Sequence, residues 1–243
     1  MAEEKEYYNC DFHIHSCLSP CADILMTPGN IIEKALKKGL DIIAITDHNS
    51  AGNVEVSLEL ARRTELIVIP GMEVASIEEI HLLCLFDELE QVLSWQERVY
   101  WSLPDRENDE EFFGYQLLTD INDEYIAKEK RLLAAATDMS VNDIVKEVKN
   151  LGGIVIPSHI DRKYNSIISN LGFVPPELDF QVLEVSRNGD IEKLKEQYGF
   201  LENYSMIYNS DSHYLKDIDI MSRLKLDNKK IQSLESAVLK TGK

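Results

Sequence analysis

Seven short apolar segments recur along the chain, and helical patterns separate most of them. Several are almost continuous in apolar residues, as in "DIIAITD" and "GGIVIPSH", which is typical of strands buried in a parallel sheet. Strands that alternate with helices favour an α/β fold. The predicted strands cover residues 7–15, 41–47, 65–74, 80–86, 152–159, 180–186 and 205–211.

Capping residues mark the helices between these strands. The segment 27–39 begins with Thr27 and Pro28 and ends at Gly39, which are favoured residues at the two ends of a helix. The same reasoning predicts helices over 53–64, 140–153, 190–199 and 228–240. A chain of 243 residues fits one domain the size of an α/β barrel or two smaller domains.

The stretch 87–139 interrupts the alternation of strands and helices. It contains both tryptophans, the acidic run 106–116 and a predicted helix over 122–137. We interpret it as a largely helical insertion after the fourth strand, over one end of the fold. A capping or dimerising element and a substrate-gating lid are both open interpretations.

The six histidines follow the strand pattern. Five lie at or just after strand ends, Glu73 and Asp211 end the third and seventh strands, and His81 lies near the start of the fourth. The C-terminal strand ends of a parallel barrel meet at one mouth, where active sites form. We therefore expect these side chains to converge there. The five strand-end histidines are His13, His15, His48, His159 and His213.

His81 joins this group if its strand runs opposite to its neighbours. The link "ASIEE" before it is short, which suits an antiparallel hairpin better than a helical crossover. In a strand, residues two apart face the same side, so His13 and His15 project together. An isolated pair of this kind is more often structural. The whole set predicts a metal cluster, and imidazole with carboxylate suits zinc, manganese or iron.

Six segments between residue 10 and about 215 resemble, in order, the motifs of the PHP (polymerase and histidinol phosphatase) family: "DFHIHS", "ITDHNS", "GMEV", "HLLCLF", "PSHID" and "SDSH". Their character is that of stand-alone metal-dependent phosphoesterases. The resemblance implies that residues 1–243 form one domain, a distorted, TIM-like (β/α)7 barrel. It also implies two or three divalent ions at the mouth.

The resemblance implies how the ligands are shared. Glu73 would bridge the first and second ions. The other ligands of the first ion would be His13, His15 and Asp211, and those of the second His81 and His159. The third ion would take His48, His213 and a residue from the loop after "HIHS".

This loop departs from the family pattern. Family members often read "HxHSxxSDG", whereas here the loop reads "CLSPCADILMTP". Asp23 is the nearest equivalent of the family's aspartate, and Cys21 is a rival ligand. We interpret Asp11 and Asp47 as groups that orient nearby imidazoles.

Such a centre predicts hydrolysis of a small phosphomonoester or phosphodiester, resembling a nucleotide or sugar phosphate, by water that the ions deprotonate. Asp211 or His213 could move protons, although metal ligands are poor free bases. Arg162 is the first candidate to bind the phosphate and Arg187 the second. Either arginine could instead form a surface salt bridge.

Other functions fit the same residues. Histidinol-phosphate phosphatase, a 3′-exonuclease on short oligonucleotides and a non-catalytic, metal-stabilised regulatory or scaffold module are alternatives. The number of candidate ligands that the chain retains favours an active enzyme over a scaffold.

Charge and composition limit which binding partners are expected. The formal net charge of −18 repels long polyanions, so we expect a small phosphorylated substrate and no long nucleic acid. There is no apolar run of eighteen residues, so no membrane partner is expected. Four cysteines without an export signal predict reduced thiols and a cytoplasmic protein. The oligomeric state cannot be inferred from these features.

Overall fold

The computed structural model describes residues 7–226, together with Ile231, Leu234 and Val238–Leu239. In chain order the helices and strands are β1 (Tyr8–Ile14), α1 (Pro28–Lys38), β2 (Ile42–Ile45), α2 (Val54–Ala61), β3 (Ile67–Ala75), β4 (His81–Leu85), α3 (Leu89–Ser102), α4 (Glu110–Phe113), β5 (Leu117–Thr119), β6 (Tyr125–Lys128), α5 (Val141–Asn150), β7 (Ile154–Pro157), α6 (Ile167–Leu171), β8 (Val182–Ser186), α7 (Ile191–Gln197), β9 (Ser205–Asn209), β10 (Ser222–Lys225) and β11 (Val238–Leu239).

A curled sheet with the strand order β11-β10-β1-β2-β3-β4-β7 forms the centre of the fold. Strands β1, β2 and β3 are parallel, whereas β4 is antiparallel to both β3 and β7. The direction predicted for the strand of His81 is therefore confirmed. The seven predicted strands correspond to β1, β2, β3, β4, β7, β8 and β9.

Strands β8 and β9 form a separate parallel pair that contacts β7 on one side and β1 on the other. Isolated bonds replace a continuous ladder at these junctions. The Ile160 amide donates to the Glu184 carbonyl at 2.9 Å, and the Phe12 amide donates to Asn209 Oδ1 at 2.8 Å. Among the described residues the structure is thus an α/β fold with a curled sheet, and a complete (β/α)7 barrel is not shown.

The predicted ends of α1 are present, although the Thr27 hydroxyl at the N-cap position makes no capping hydrogen bond. Pro28 occupies the first turn, and Gly39 ends the helix with a φ of 74°, while its amide donates to the carbonyls of the last turn. The helix buries Ile31 and Ala35 against apolar side chains of β2. Burial of this stripe fixes α1 beside the strand that leads to His48.

The insertion 87–139 is only partly helical. Helix α3 buries Trp95 in the core and exposes Trp101. The helix predicted over 122–137 is wrong, because this segment contributes β6 to a β5–β6 hairpin. The Asp120 carboxylate accepts from the amides of Asn122 and Glu124 at 2.8 and 2.9 Å, and such turn bonds compete with a helix.

Most of the helix predicted over 228–240 lies outside the described residues. Within the part that is described, no helix combines the length and the apolar character needed to cross a membrane.

Candidate metal centre

The sheet brings histidines and carboxylates from several strands to one mouth. His13 lies on β1, Glu73 on β3 and His81 at the start of β4. His159 and Asp211 follow β7 and β9 with φ values of 32° and 48°, in the left-handed region that is costly for residues other than glycine. These two turns redirect the chain directly after each strand, where the side chains enter the mouth.

Imidazole nitrogens surround both carboxylate oxygens of Glu73, which is 1% exposed. Glu73 Oε1 lies 3.1, 3.2 and 3.4 Å from His81 Nδ1, His13 Nε2 and His159 Nε2. Glu73 Oε2 lies 3.1 and 3.5 Å from His48 Nδ1 and His15 Nε2. One buried carboxylate is therefore shared by five histidines.

Asp211 is the second carboxylate that contacts the imidazoles of His13 and His15. Its Oδ1 lies 3.1 Å from His15 Nε2 and 3.3 Å from His13 Nε2. Its Oδ2 lies 2.6 Å from Arg162 Nη1, and this arginine is partly exposed. Arg162 thus stands at the open edge of the cluster. Arg187 instead contacts the carbonyl and carboxylate of Asp217.

The donors fit divalent metal ions. Although three nitrogens approach Glu73 Oε1, this atom has no hydrogen-bond partner among the described residues, and neither has the buried His159 Nδ1. Buried polar atoms are rarely left unpaired, so these two atoms are suited to bind a metal ion. Three groups each have donor atoms within 4.8 Å of one another: His13, His15 and Glu73; His48, Glu73 and His81; and His15, His48 and His213.

The electrostatics of the cluster favour added positive charge. Burial raises the pKa of Glu73 and Asp211, yet the neighbouring imidazoles hold both pKa values well below the usual range. Burial would lower the pKa of His13, but the carboxylates of Glu184, Glu73 and Asp211 raise it well above normal. Burial and the nearby His213 and His48 lower the pKa of His15. The carboxylates of Glu73 and Asp211 therefore keep their negative charge deep in the mouth.

Glu184, which the sequence reasoning missed, fixes the orientation of His13. Its Oε2 lies 3.0 Å from His13 Nδ1 and accepts from Asn209 Nδ2 at 2.9 Å. Its Oε1 accepts from the His159 amide at 3.0 Å. Because Nδ1 is engaged in this way, Nε2 of His13 faces Glu73. The signal in the sequence was a single acidic residue inside the apolar strand "FQVLEVS".

Asp47 reaches the histidines through Ser19. Its Oδ1 accepts from the Ser19 hydroxyl at 2.6 Å, and Ser19 Oγ in turn lies 2.9 Å from His15 Nδ1 and accepts from the His48 amide at 3.1 Å. Asp11 accepts from the amides of Ser210 and His13 at 3.0 and 3.4 Å. Asp11 therefore holds the main chain of two strand ends, whereas Asp47 acts on imidazoles.

Asp23 and Cys21, the two candidates for the last ligand of the third ion, make different contacts in the loop after β1. Asp23 Oδ1 accepts from the Leu25 amide at 2.8 Å within its own turn. Cys21 is exposed and lies near enough to His48 and His213 for their imidazoles to act on its thiol. Burial opposes ionisation of this thiol, but the two imidazoles outweigh it and lower the pKa of Cys21 to about 6.

The fold and this cluster define an α/β protein whose mouth contains groups of histidine and carboxylate side chains that could hold metal ions. The family model of the PHP domain matches residues 11–140, and the chain belongs to the PHP domain family. The resemblance inferred from the motifs is thereby confirmed.

Known proteins resemble the chain over parts of their length. An 80-residue segment, 31% of this chain, is 29% identical to phosphoribosyl 1,2-cyclic phosphate 1,2-diphosphodiesterase of Eggerthella lenta and covers 29% of that protein. A putative metal-dependent phosphoesterase of Bifidobacterium adolescentis matches with a TM-score of 0.58 and 18% identity, over 93% of this chain and 94% of its own.

A lesion-specific endonuclease of Pyrococcus furiosus also shares the fold, with a TM-score of 0.69 and 18% identity. The match covers 97% of this chain and 56% of the endonuclease, so the chain spans about half of that enzyme. At such identity, the likeness to the two solved structures shows the fold alone.

The prediction that excludes long nucleic acids is wrong. Endonuclease Q, which shares the fold with a TM-score of 0.68 over 95% of this chain, is seen with a 27-mer duplex that has an abasic lesion at its active site. A net charge of −18 does not exclude such a partner, because local groups and bound cations set the field at a site.

Proposed function

We propose that this chain hydrolyses phosphate esters at the mouth centred on Glu73, with two or three divalent ions as cofactors. The observation that supports this most is the convergence of five imidazoles on one buried carboxylate, whose Oε1 has no hydrogen-bond partner among the described residues. The proposed ligands are His13, His15, His48, Glu73, His81, His159, Asp211 and His213.

Bound divalent ions would supply charge neutralisation at the phosphate and a lower pKa for water. The chain's own residues would position the ester. Arg162 lies beside Asp211 at the open edge, where its guanidinium could turn to a phosphate oxygen and form a paired contact. His213 is 24% exposed, more than His48 at 14% or His81 at 16%, so it is the most accessible of these three imidazoles to a substrate.

The substrate we propose is a phosphomonoester or phosphodiester of the nucleotide or sugar-phosphate kind. Because the Arg162 side chain is partly exposed, we propose that the rim admits esters with different leaving groups. A diester within a DNA strand is therefore included in the test.

The experiment combines elemental analysis with a substrate panel. The purified protein, loaded in parallel with Zn²⁺, Mn²⁺ or Fe²⁺, is assayed with p-nitrophenyl phosphate, bis-p-nitrophenyl phosphate, histidinol phosphate and a duplex with an abasic site. We expect turnover of at least one ester that depends on the metal. Full metal occupancy with no turnover on any ester would overturn the proposal and favour the scaffold alternative.

A further inference from the structure

The β5–β6 hairpin of the insertion is bonded to the loop between β1 and α1, residues 15–27, which we call the mouth loop. The Leu117 amide donates to the Cys17 carbonyl at 2.9 Å. The Tyr125 hydroxyl donates to the Ile24 carbonyl at 2.8 Å. Each strand of the hairpin therefore contacts the mouth loop directly.

Asp123, in the turn of the hairpin, ties the insertion to helix α1. Its Oδ1 accepts from the Gly29 amide at 2.9 Å, in the first turn of that helix. Thr27, the N-cap residue, makes no such bond with its own side chain. An amide at this end of α1 is therefore paired by a side chain of the insertion. A Cβ at Gly29 would lie 2.4 Å from Asp123 Oδ2, so glycine allows this close approach.

Asn53 joins the hairpin to the interior of the mouth. It lies fully buried at the start of α2, and its Oδ1 accepts from the Thr119 amide at 3.2 Å. Its Nδ2 donates to the Leu117 carbonyl at 3.1 Å and to the Ser16 hydroxyl at 2.9 Å. This one amide group therefore bridges β5 and the mouth loop.

A continuous path of hydrogen bonds leads from Ser16 to the imidazoles. The Ser16 hydroxyl donates to Asp47 Oδ2 at 2.6 Å, and Asp47 Oδ1 accepts from the Ser19 hydroxyl at 2.6 Å. Ser19 Oγ lies 2.9 Å from His15 Nδ1 and accepts from the His48 amide at 3.1 Å. The side chains from Ser16 to His15 are at most 1% exposed, so water does not compete for these bonds.

The last bond of this path determines which nitrogen of His15 faces the mouth. A hydroxyl has one proton, and Ser19 gives it to the Asp47 carboxylate, so Ser19 Oγ can only accept from His15 Nδ1–H. His15 Nε2 is then turned toward Asp211 and Glu73, at 3.1 and 3.5 Å. The path therefore orients His15 as a ligand.

We propose that Asn53 is a positioning residue that couples His15 to the β5–β6 hairpin, and that the hairpin is a clamp that stays on the mouth loop, not a lid. A lid leaves the mouth during each turnover. Opening here would leave the buried amide of Asn53 unpaired, which is costly. The role of Asn53 in turnover rests on the proposed function, whereas its role in holding His15 does not.

Proton exchange at His15 tests the coupling without reference to activity. The Nδ1–H of His15 is followed in ¹H–¹⁵N spectra of the whole chain, metal-free and zinc-loaded, and is assigned by its loss in His15→Gln. We expect a slowly exchanging proton in the natural protein. Asn53→Asp keeps the acceptor for Thr119 and loses both donors, so exchange should be about tenfold faster. Ser16→Ala breaks the same path one residue further and should give the same acceleration if Asn53→Asp does not fold.

Gln91→Glu is the matched amide-to-acid control. Gln91 accepts from the Glu88 amide and donates to the Leu151 carbonyl, so it bridges two segments outside the mouth loop. Its change should leave exchange at His15 as in the natural protein. In an active enzyme, Asn53→Asp should lower kcat and leave KM unchanged, because it displaces a ligand and no substrate contact.

A cross-link separates a clamp from a lid. A Cβ at Gly29 would lie 2.9 Å from Asp123 Cγ, which suits a disulfide in the double variant Gly29→Cys with Asp123→Cys. Mass spectrometry confirms the bond, and Gly29→Cys alone, treated with the same oxidant, controls for the natural thiols. A clamp predicts equal turnover and equal exchange at His15 in the oxidised and reduced forms. A lid predicts that oxidation lowers turnover and slows exchange, and that reductant restores both.

The outcomes separate this inference from the proposed function. A protein inactive on every ester, in which Asn53→Asp still accelerates exchange at His15, would support the coupling and refute the hydrolase. Natural exchange in Asn53→Asp, or equal acceleration in Gln91→Glu, would overturn the role of Asn53. Turnover or exchange that falls only in the oxidised double variant would overturn the clamp and assign the hairpin as a lid.

Discussion

The mouth has two halves that share Glu73 and differ in how their imidazoles are held. The inner half comprises His13, His15, His159 and Asp211, all at most 5% exposed. The outer half comprises His48, His81, His213 and Cys21, whose histidines are 14% to 24% exposed. Buried carboxylates and hydroxyls fix the inner imidazoles, whereas the outer ones lie at the start of β4 or in loops and are partly exposed to solvent. The inner half should therefore be essential for turnover, and the outer half should only adjust the rate.

The largest expected effect tests whether the inner half is essential. His13→Ala and Asp211→Ala should each lower turnover by more than about 100-fold, because each would remove a proposed ligand of the same ion. Metal content should fall in both variants. His81→Ala, in the outer half, is the matched variant and should lose less. Equal losses in all three variants, each shown to be folded by thermal melting, would remove the distinction between the halves.

Glu184→Gln asks whether the inner half depends on its buried carboxylate. The change keeps the shape of the side chain and removes the charge that faces His13 Nδ1 at 3.0 Å. We expect metal affinity or turnover to fall about 10- to 100-fold, as for other groups that orient a metal-binding histidine. The exposed Glu192→Gln on α7 is the control of equal chemistry. A Glu184→Gln protein with natural metal affinity and turnover would assign Glu184 to packing alone.

Sequence reasoning reached the inner half more fully than the outer one, for a physical reason. Strand periodicity and the spacing of two residues place His13 and His15 on one side without knowledge of distant contacts. The outer loop has no such periodicity. Whether Cys21 or Asp23 faces the histidines depends on bonds to Ser19 and His213, and these cannot be read from spacing.

The remaining errors have the same origin. Glu184 looked like one polar residue in a strand, because its role requires β8 to lie beside His13 across 171 positions of sequence. The β6 strand is exposed at every residue, so it shows no alternation of apolar and polar side chains. Its hairpin is set by the Asp120 turn. Local capping signals, by contrast, located α1 and α5 correctly.

Ser19→Ala examines the link between the halves. Ser19 Oγ contacts His15 Nδ1 of the inner half and the His48 amide of the outer half, at 2.9 and 3.1 Å. A hydrogen bond to a neutral group contributes about 0.5–1.5 kcal/mol, so loss of the contacts to His15 and to the His48 amide should lower turnover by no more than about tenfold. Loss of the bond that Ser19 donates to the Asp47 carboxylate at 2.6 Å should lower the free energy of unfolding. The measurement is kcat with metal occupancy held at saturation. A loss as large as that of Glu184→Gln would show that the halves are held with equal strength.

Ser140→Ala has the smallest expected effect. It shows how large the effect of a change in stability alone is. Ser140 caps α5, and its side chain accepts from the Asp143 amide. Removing this cap should lower the free energy of unfolding by about 1 kcal/mol, with metal content and turnover unchanged. A change in either of these would show that the mouth responds to stability in general.

The stability loss in Ser140→Ala should also depend on pH. The hydrogen bond from Ser140 holds the pKa of Asp143 below its ordinary value in the folded protein. A carboxyl with a lowered pKa contributes stability above its unfolded pKa, about 3.9, and that stability is lost as pH falls. Denaturant unfolding should therefore show the full difference between Ser140→Ala and the natural protein at neutral pH and a smaller one below pH about 4. A difference that grows on acidification would contradict this account of the cap.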